Sequence, residues 1–267
     1  MSLADWEPFW MGPASHRLYA ALHGVAGVPS TGVVLVPPLL HELPRSRRFI
    51  AEVASELAAI GLPTLRFDFH GTGDSSGTGD DIGFASMHRD IDQAVAALRE
   101  KTGIRRLVLV GWRGASLVLR GWLDRGGSAD LVVLWDPIVD GGYWLQELMH
   151  GDVGERAVRP PPRRGIPRLT DPSDGQLMGF PASPQLREDL ARTHLGGGTR
   201  RGDVPVWAIV RAGVADLPKD IARVLQLPEN APVFNVGAAM DATFFLTPGV
   251  RNLIGELGQA VFEEASA

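Results

Sequence analysis

Leu107-Val108-Leu109-Val110-Gly111-Trp112-Arg113-Gly114-Ala115-Ser116 is an apolar run that ends in a tight glycine turn and passes directly into a helical pattern. The outline is that of a nucleophile elbow, in which small residues let a strand and a helix crowd against a sharp turn. The side chain between them projects from the end of the strand. In a G-x-S-x-G elbow that side chain is serine; in Gly111-x-Arg113-x-Ala115 it is arginine. The frame keeps the geometry of an acyl-transfer site and lacks its nucleophile.

Working outward, 267 residues with 45% hydrophobic content suit one large α/β domain, 1–267, better than two small ones. The absence of cysteine excludes a disulfide framework, thiolate catalysis and cysteine-ligated metal sites. The opening Met1-Ser2-Leu3-Ala4-Asp5-Trp6-Glu7 has no basic segment leading into an apolar one, and no apolar run spans a membrane, so a cytoplasmic protein is expected. A net charge of -5 gives no reason to expect nucleic acid as a partner.

Upstream of the elbow, Trp6 to Trp10 and Arg17 to His23 read as an edge hairpin. Thr31 to Pro37 is a β-branched run of the kind buried on both faces; a polar loop from His41 to Arg48 follows, then a helix with Phe49, Val53 and Leu57 on its apolar stripe. Pro63 to Phe69 is the next strand, and Asp68 to Asp80 is a glycine and aspartate loop. Ile91, Ala94, Val95 and Leu98 recur at helical spacing and return the chain to the elbow strand.

Downstream, Ala129 to Trp135 is a buried strand ending at Asp136-Pro137, after which the alternation breaks. Residues 141–202 hold helical pieces near Tyr143 to Met149 and Ser183 to Leu195 around a basic proline stretch, Arg159 to Arg164. Such an insert is expected as a cap or lid over the carboxyl edge of the sheet, where open α/β sheets bind ligands. Val204 to Val210 resumes the sheet, a helix over about Leu217 to Leu227 follows, and Pro232 to Val236 is the last strand before a closing helix. The expected architecture is a doubly wound, mostly parallel sheet of about eight strands with helices on both faces, its order reversing beside the elbow.

Pro37-Pro38 with Arg45-Ser46-Arg47-Arg48, the loop Asp68-x-x-Gly71-x-Gly73-Asp74-Ser75, Gly111-x-Arg113-x-Ala115, Trp135-Asp136-Pro137 and Gly179-Phe180-x-x-Ser183 carry a narrower likeness. Together they resemble the exosortase A system-associated hydrolase branch of the α/β-hydrolase superfamily, strongly between Thr31 and Gly142. The resemblance implies the α/β-hydrolase fold with a cap, and a setting beside exopolysaccharide synthesis and protein sorting. One of the two types in that branch also carries arginine at the elbow. Fold membership does not fix chemistry.

A serine hydrolase needs a nucleophile, a base and an acid. Arg113 does not attack carbonyls, and Ser116, three residues on, lies in the first turn of the helix, where a relocated nucleophile competes with an ordinary helix-start serine. Asp216 follows a late strand, as a triad acid does, and equally suits a helix cap. The loop after the last strand reads Asp241-Ala242-Thr243-Phe244-Phe245, with Thr243 in the slot of the base, and no histidine occurs after His194. Two missing members argue against a Ser-His-Asp mechanism.

Other chemistry would fall to Arg113, His41, His70 and Asp216, with Trp112, Ser116, Asp136 and Asp241 facing the ligand. His41 and His70 follow central strands, where an imidazole serves at a pocket rim or holds its own loop. The Arg45, Arg47 and Arg48 group is a solvated helix start or a receiver for an anion. Arg113 is expected to project toward the pocket and to pair with Asp136, Asp216 or Asp241, or with an anionic ligand. No cofactor is expected, because Gly71-x-Gly73 lacks the dinucleotide spacing and the elbow lacks a phosphate-loop lysine; no metal cluster is expected either. The ligand is expected to be an acyl or carboxylate-type small molecule, handled without a triad. A catalytically silent scaffold in a biosynthetic or secretion complex, and an esterase using a displaced Ser116, are the alternatives.

Overall fold

The computed structural model describes residues 6–24, 29–158, 175–197, 204–214, 216–234 and 246–266. Strands β1 (Trp6–Met11) and β2 (Leu18–His23) form the antiparallel edge hairpin, followed by β3 (Thr31–Val36), α1 (Glu42–Ala59), β4 (Thr64–Phe67) and α2 (Phe84–Thr102). The elbow unit is β5 (Arg106–Trp112) and α3 (Ala115–Asp124), and β6 (Leu131–Trp135) lies beside it. The inserted segment holds α4 (Gly141–Val158), a small hairpin of β7 (Gln176–Leu177) and β8 (Phe180–Pro181), and α5 (Pro184–Arg192). The chain closes with β9 (Val206–Val210), β10 (Arg223–Gln226) and α6 (Pro248–Ser266).

The main sheet has eight strands in the order β1-β2-β4-β3-β5-β6-β9-β10. From β4 to β10 every pairing is parallel, and the first of those strands in sequence, β3, is flanked by β4 on one side and β5 on the other. The winding direction therefore reverses beside the elbow strand, which opens a crevice at the carboxyl ends of β3 and β5. Continuous aliphatic runs suit these strands because both faces are covered: every residue of β3 and β6 is buried. One face packs Leu107, Leu109 and Val132 against α2 and α3; the other packs Val108, Val110 and Val133 with Phe49 and Val53 of α1 and Val250 and Leu257 of α6.

Three expectations are corrected. The polar stretch after His41 is not a loop, since α1 begins at Glu42; Pro44 sits in the first helical turn, where its missing N–H has no intrahelical partner to lose. No helix spans 217–227. Instead Arg223–Gln226 pairs in parallel with Trp207–Val210 as the edge strand β10, so sheet pairing overrides the local pattern. Pro232, Val233 and Phe234 belong to no strand. Residues 159–164, Asp241 and Thr243 lie outside the described residues.

Candidate functional site

Strand β5 runs into a turn whose central residue, Arg113, has φ 50°. Left-handed backbone costs an L-residue about 1–2 kcal/mol, so the turn is held by its surroundings. The Arg113 N–H donates to the Trp135 carbonyl at 3.0 Å, and the Arg113 carbonyl accepts from the Ser116 N–H at 3.0 Å and its Oγ at 2.7 Å. Two close approaches exclude larger residues: a methyl on Gly111 would overlap Leu119 of α3, and one on Gly114 would overlap the indole of Trp144 from α4. The strand-to-helix turn read in the sequence is present, and the inserted segment packs directly on it.

Arg113 is not among the residues that line the cavity described below. Its guanidinium Nε donates to Glu42 Oε1 at 3.2 Å, and Nη1 lies 3.6 Å from Asp136 Oδ2 and 3.4 Å from the Asp136 carbonyl. Asp136, itself at φ 48° just past the end of β6, also accepts from Arg211 Nε at 3.0 Å. Arg211 follows β9 and donates through Nη1 and Nη2 to the carbonyls of Ala231 and Pro232 at 3.4 and 2.8 Å. Neighbouring parallel strands thus end in Arg113, Asp136 and Arg211, and Glu42 enters from α1 to close an alternating chain of charges. Burial opposes the Arg113 charge, but Glu42 and Asp136 outweigh it and hold the guanidinium pKa above its ordinary value. Burial pushes the Glu42 carboxyl upward against the pull of Arg113. Glu42 is 0% exposed, and its Oε2 has no hydrogen-bond partner among the described residues.

The remaining expected residues fall in separate places. Ser116 is fully buried, and its Oγ donates to the carbonyls of Arg113 and Ile138 at 2.7 and 3.0 Å; neither contact is to an imidazole. Trp112 faces the core rather than the ligand side, stacked on Trp135 at 4.3 Å between ring centroids and edge-on to Phe49. His41 is buried at the start of α1, and its side chain does not cap that helix. His70 stacks on His16 at 4.0 Å, and its backbone N–H donates to Asp90 Oδ2 at 2.9 Å, while Asp90 Oδ1 meets His16 Nε2 at 2.6 Å. That group ties the glycine loop to the β1–β2 turn and α2, apart from Arg113. Asp216 is exposed at φ 69° on the loop after β9; Arg113 takes its carboxylates from Glu42 and Asp136.

A cavity of about 350 Å³ opens beside the elbow. Its walls are the Pro38–Leu40 turn, Leu43, Pro44 and Arg47 of α1, the Gly71–Asp74 loop, Met87 of α2, and Phe180, Pro181 and Leu186 of the inserted segment. Arg47 is the cation of this cavity. Its Nη2 bonds Asp68, and its Nη1 donates to Asp74 Oδ2 at 2.9 Å. Burial raises the Asp68 carboxyl above its ordinary range, partly offset by the Asp74 backbone N–H and Arg47. Among the described residues no cluster of acids and histidines is placed to hold a metal, and no helix is long and apolar enough to cross a membrane.

No protein-family model matches the sequence, and no curated protein does. Solved structures do. The chain is similar to Est1E of Butyrivibrio proteoclasticus, solved with ferulic acid bound, with TM-score 0.62 and 14% identity over 97% of this chain and 100% of that one. It is also similar to XC6422 of Xanthomonas campestris, described as an α/β serine hydrolase without lid, with TM-score 0.52 and 13% identity over 97% and 95%. The chain has the α/β-hydrolase fold. Mouse α/β hydrolase domain-containing protein 10 extends the likeness, with TM-score 0.56 and 11% identity over 96% and 99%. Within this α/β-hydrolase fold, the sequence reading missed Glu42 and Arg211. Neither carries a motif: Glu42 lies 71 residues from Arg113 and Arg211 lies 75 from Asp136, so only the docking of α1 and the parallel strand register bring them together.

Proposed function

We propose that this α/β-hydrolase-fold protein binds or transforms an acyl or carboxylate-type small molecule without a Ser-His-Asp triad, its elbow having passed from chemistry to structure. The observation that carries the reading is Arg113 at the elbow turn, engaged by Glu42 and Asp136. A guanidinium in that position is no nucleophile, and the nearest hydroxyl, Ser116 Oγ, is committed to two carbonyls. An arginine already paired internally is not an anion receptor, so ligand recognition passes to the neighbouring cavity. Residues 141–202 act as a cap on a single domain, and the resemblance to the exosortase-associated branch suggests work in the cytoplasm beside polysaccharide assembly.

The test joins a covalent fluorophosphonate probe to a panel of nitrophenyl esters and acyl thioesters, with calorimetric titration of the same acyl compounds. The expected result is binding without labelling of Ser116. Turnover that disappears in Ser116→Ala overturns the reading and restores the displaced-serine esterase. Exposed Tyr143, Met149 and Val153 on α4 favour a second reading, a silent scaffold in a biosynthetic or secretion complex. Absence of any acyl binding selects it.

A further inference from the structure

The two faces of the edge strand β1 differ. Phe9 and Met11 pack toward α2, where Lys101 lies over the Phe9 ring at 4.3 Å and pairs with Glu7. Trp6, Pro8 and Trp10 fall on the opposite face, across from His23, Ala21 and Tyr19 of β2. Ser55 and Ala58 of α1 reach β2 at His23 and the following Gly24, and β1 lies beyond them. Trp6 and Trp10 are accordingly 40% and 52% exposed, whereas none of the other five tryptophans exceeds 3%. Both indoles are braced: Trp6 stacks on His23 at 6.2 Å between ring centroids, and Trp10 sits edge-on to Tyr19 at 5.8 Å. Four residues of strand set them about 13 Å apart.

The same face carries two cations that form no ion pair among the described residues. Arg66 of β4 stands opposite Ala21, with its guanidinium 5.5 Å from the centre of the Trp6 ring and its Nε donating to His23. Burial holds the Arg66 pKa below the ordinary arginine value, and the Asp68 carboxylate that partly offsets this is itself bonded by Arg47. Arg17 is exposed, and its N–H and carbonyl bond Ser76 as those of Tyr19 bond Ser75 and Asp68, so the alternation of β2 extends to it and puts it on the Tyr19 side.

The surroundings exclude two kinds of partner. Because the main-chain groups of Tyr19 turn toward β4, those of Trp6, Pro8 and Trp10 turn to the open edge of the sheet, where Pro8 has no N–H to give a further strand. The two half-exposed indoles offer roughly 200 Å², far short of the ~800 Å² per partner of a stable protein interface. A shallow aromatic face with cations set among its rings matches a surface that is apolar just beneath a layer of anions.

We propose that the Trp6–Trp10 face of the edge hairpin binds the surface of an anionic bilayer, with the two indoles at the level of the headgroups and Arg17 and Arg66 beside the lipid phosphates. The attachment needs no spanning helix and does not depend on the acyl reading above.

Sedimentation of the full chain with sucrose-loaded vesicles tests it, comparing phosphatidylcholine alone with equal parts of phosphatidylcholine and phosphatidylglycerol. Binding to the anionic vesicles is expected to be about tenfold tighter and to weaken as salt is raised. Trp10→Ala and Arg17→Glu, both at exposed side chains, are each expected to weaken it severalfold; Trp6→Ala should do the same, with circular dichroism checking its fold. Since the other five tryptophans are buried, lipids brominated near the headgroup should quench emission in the native chain, and Trp6→Phe with Trp10→Phe should abolish that quenching. Failure to sediment with anionic vesicles overturns the proposal, as does binding that survives Trp10→Ala and Arg17→Glu together. Dimerisation lost in Trp10→Ala, or retention on alginate without vesicle binding, also overturns it and assigns the face to a second copy or to an acidic polysaccharide.

Discussion

Replacing Arg113 by alanine isolates the part of the elbow that the ion pairs hold. The substitution removes a guanidinium whose side chain is 15% exposed from between Glu42, at 0%, and Asp136, at 14%. Asp136 keeps Arg211 at 3.0 Å, so the loss falls on Glu42, which is left buried beside an empty volume. Breaking a buried pair by removing one partner costs about 3–5 kcal/mol. The retained Asp136–Arg211 contact places Arg113→Ala near the lower end, about 3 kcal/mol by the same scale. At about 2–4 °C per kcal/mol for a chain of this size, the thermal midpoint falls by roughly 6–12 °C. The deficit depends on pH in a definite sense. The folded-state pKa of Glu42 is raised, so between its ordinary value and the raised one the native state holds a proton that the unfolded chain has released. Stability therefore falls as pH rises through that window, and loss of the guanidinium extends the window upward. Urea unfolding from acid to neutral pH should show the Arg113→Ala deficit growing with pH, and Glu42→Gln added to Arg113→Ala should recover most of it. A neutral-pH deficit under about 1 kcal/mol, or one that does not change with pH, refutes a dominant buried pair.

Arg113→Ser restores the residue type of a G-x-S-x-G elbow; nitrophenyl ester assays are expected to show no turnover, since Glu42 and Asp136 are not bases placed for its Oγ. His23 is buried, donates from Nδ1 to Ser55 Oγ at 3.1 Å and accepts at Nε2 from Arg66 Nε at 3.1 Å, so it is held neutral. Its pKa is lowered from 6.5 to about 4 by burial and then by Arg66. The unfolded state binds the extra proton in that window, so stability is lost as pH falls from 6.5 toward 4, by up to about 3 kcal/mol. Calorimetric midpoints of His23→Gln should lose this part of the pH dependence. Gly114→Ala forces a methyl into the Trp144 ring and should cost about 1–3 kcal/mol, whereas Gly154→Ala, in α4 with open space around it, should stabilise by up to about 1 kcal/mol. Chemical denaturation of the two distinguishes a crowded glycine from an idle one.

The central sheet is legible in the sequence because Thr31 to Val36, Leu107 to Trp112 and Leu131 to Trp135 are apolar on both faces, and that pattern has few other uses. The elbow is legible for a related reason, since Gly111 and Gly114 mark the two approaches at which a side chain does not fit. Strand β10 is not, because as an edge strand it buries only Leu225 of its four residues and so lacks the apolar run that marks the others. The site is legible only by halves. Arg113 and Asp136 stand at strand ends that the alternation predicts, and their pairing follows from adjacent register. Glu42 is hidden in a polar stretch that passes for a loop, and the position of Arg47 depends on how the first turns of α1 meet the glycine loop.

The alternating row of Glu42, Arg113, Asp136 and Arg211 also has a bearing on time. Its members come from α1 and from the ends of β5, β6 and β9, so no two of them meet until distant segments have docked and three parallel strands have taken their final register. Side-chain charge pairs of that kind need the strands in register first, and they are expected to tighten late, with low φ-values. Severing the row should then leave the folding rate almost unchanged and raise the unfolding rate by nearly the whole stability loss. The charges at the elbow would govern how long a folded molecule lasts before it opens, a property that proteolysis and heat challenge directly and that equilibrium stability alone does not report.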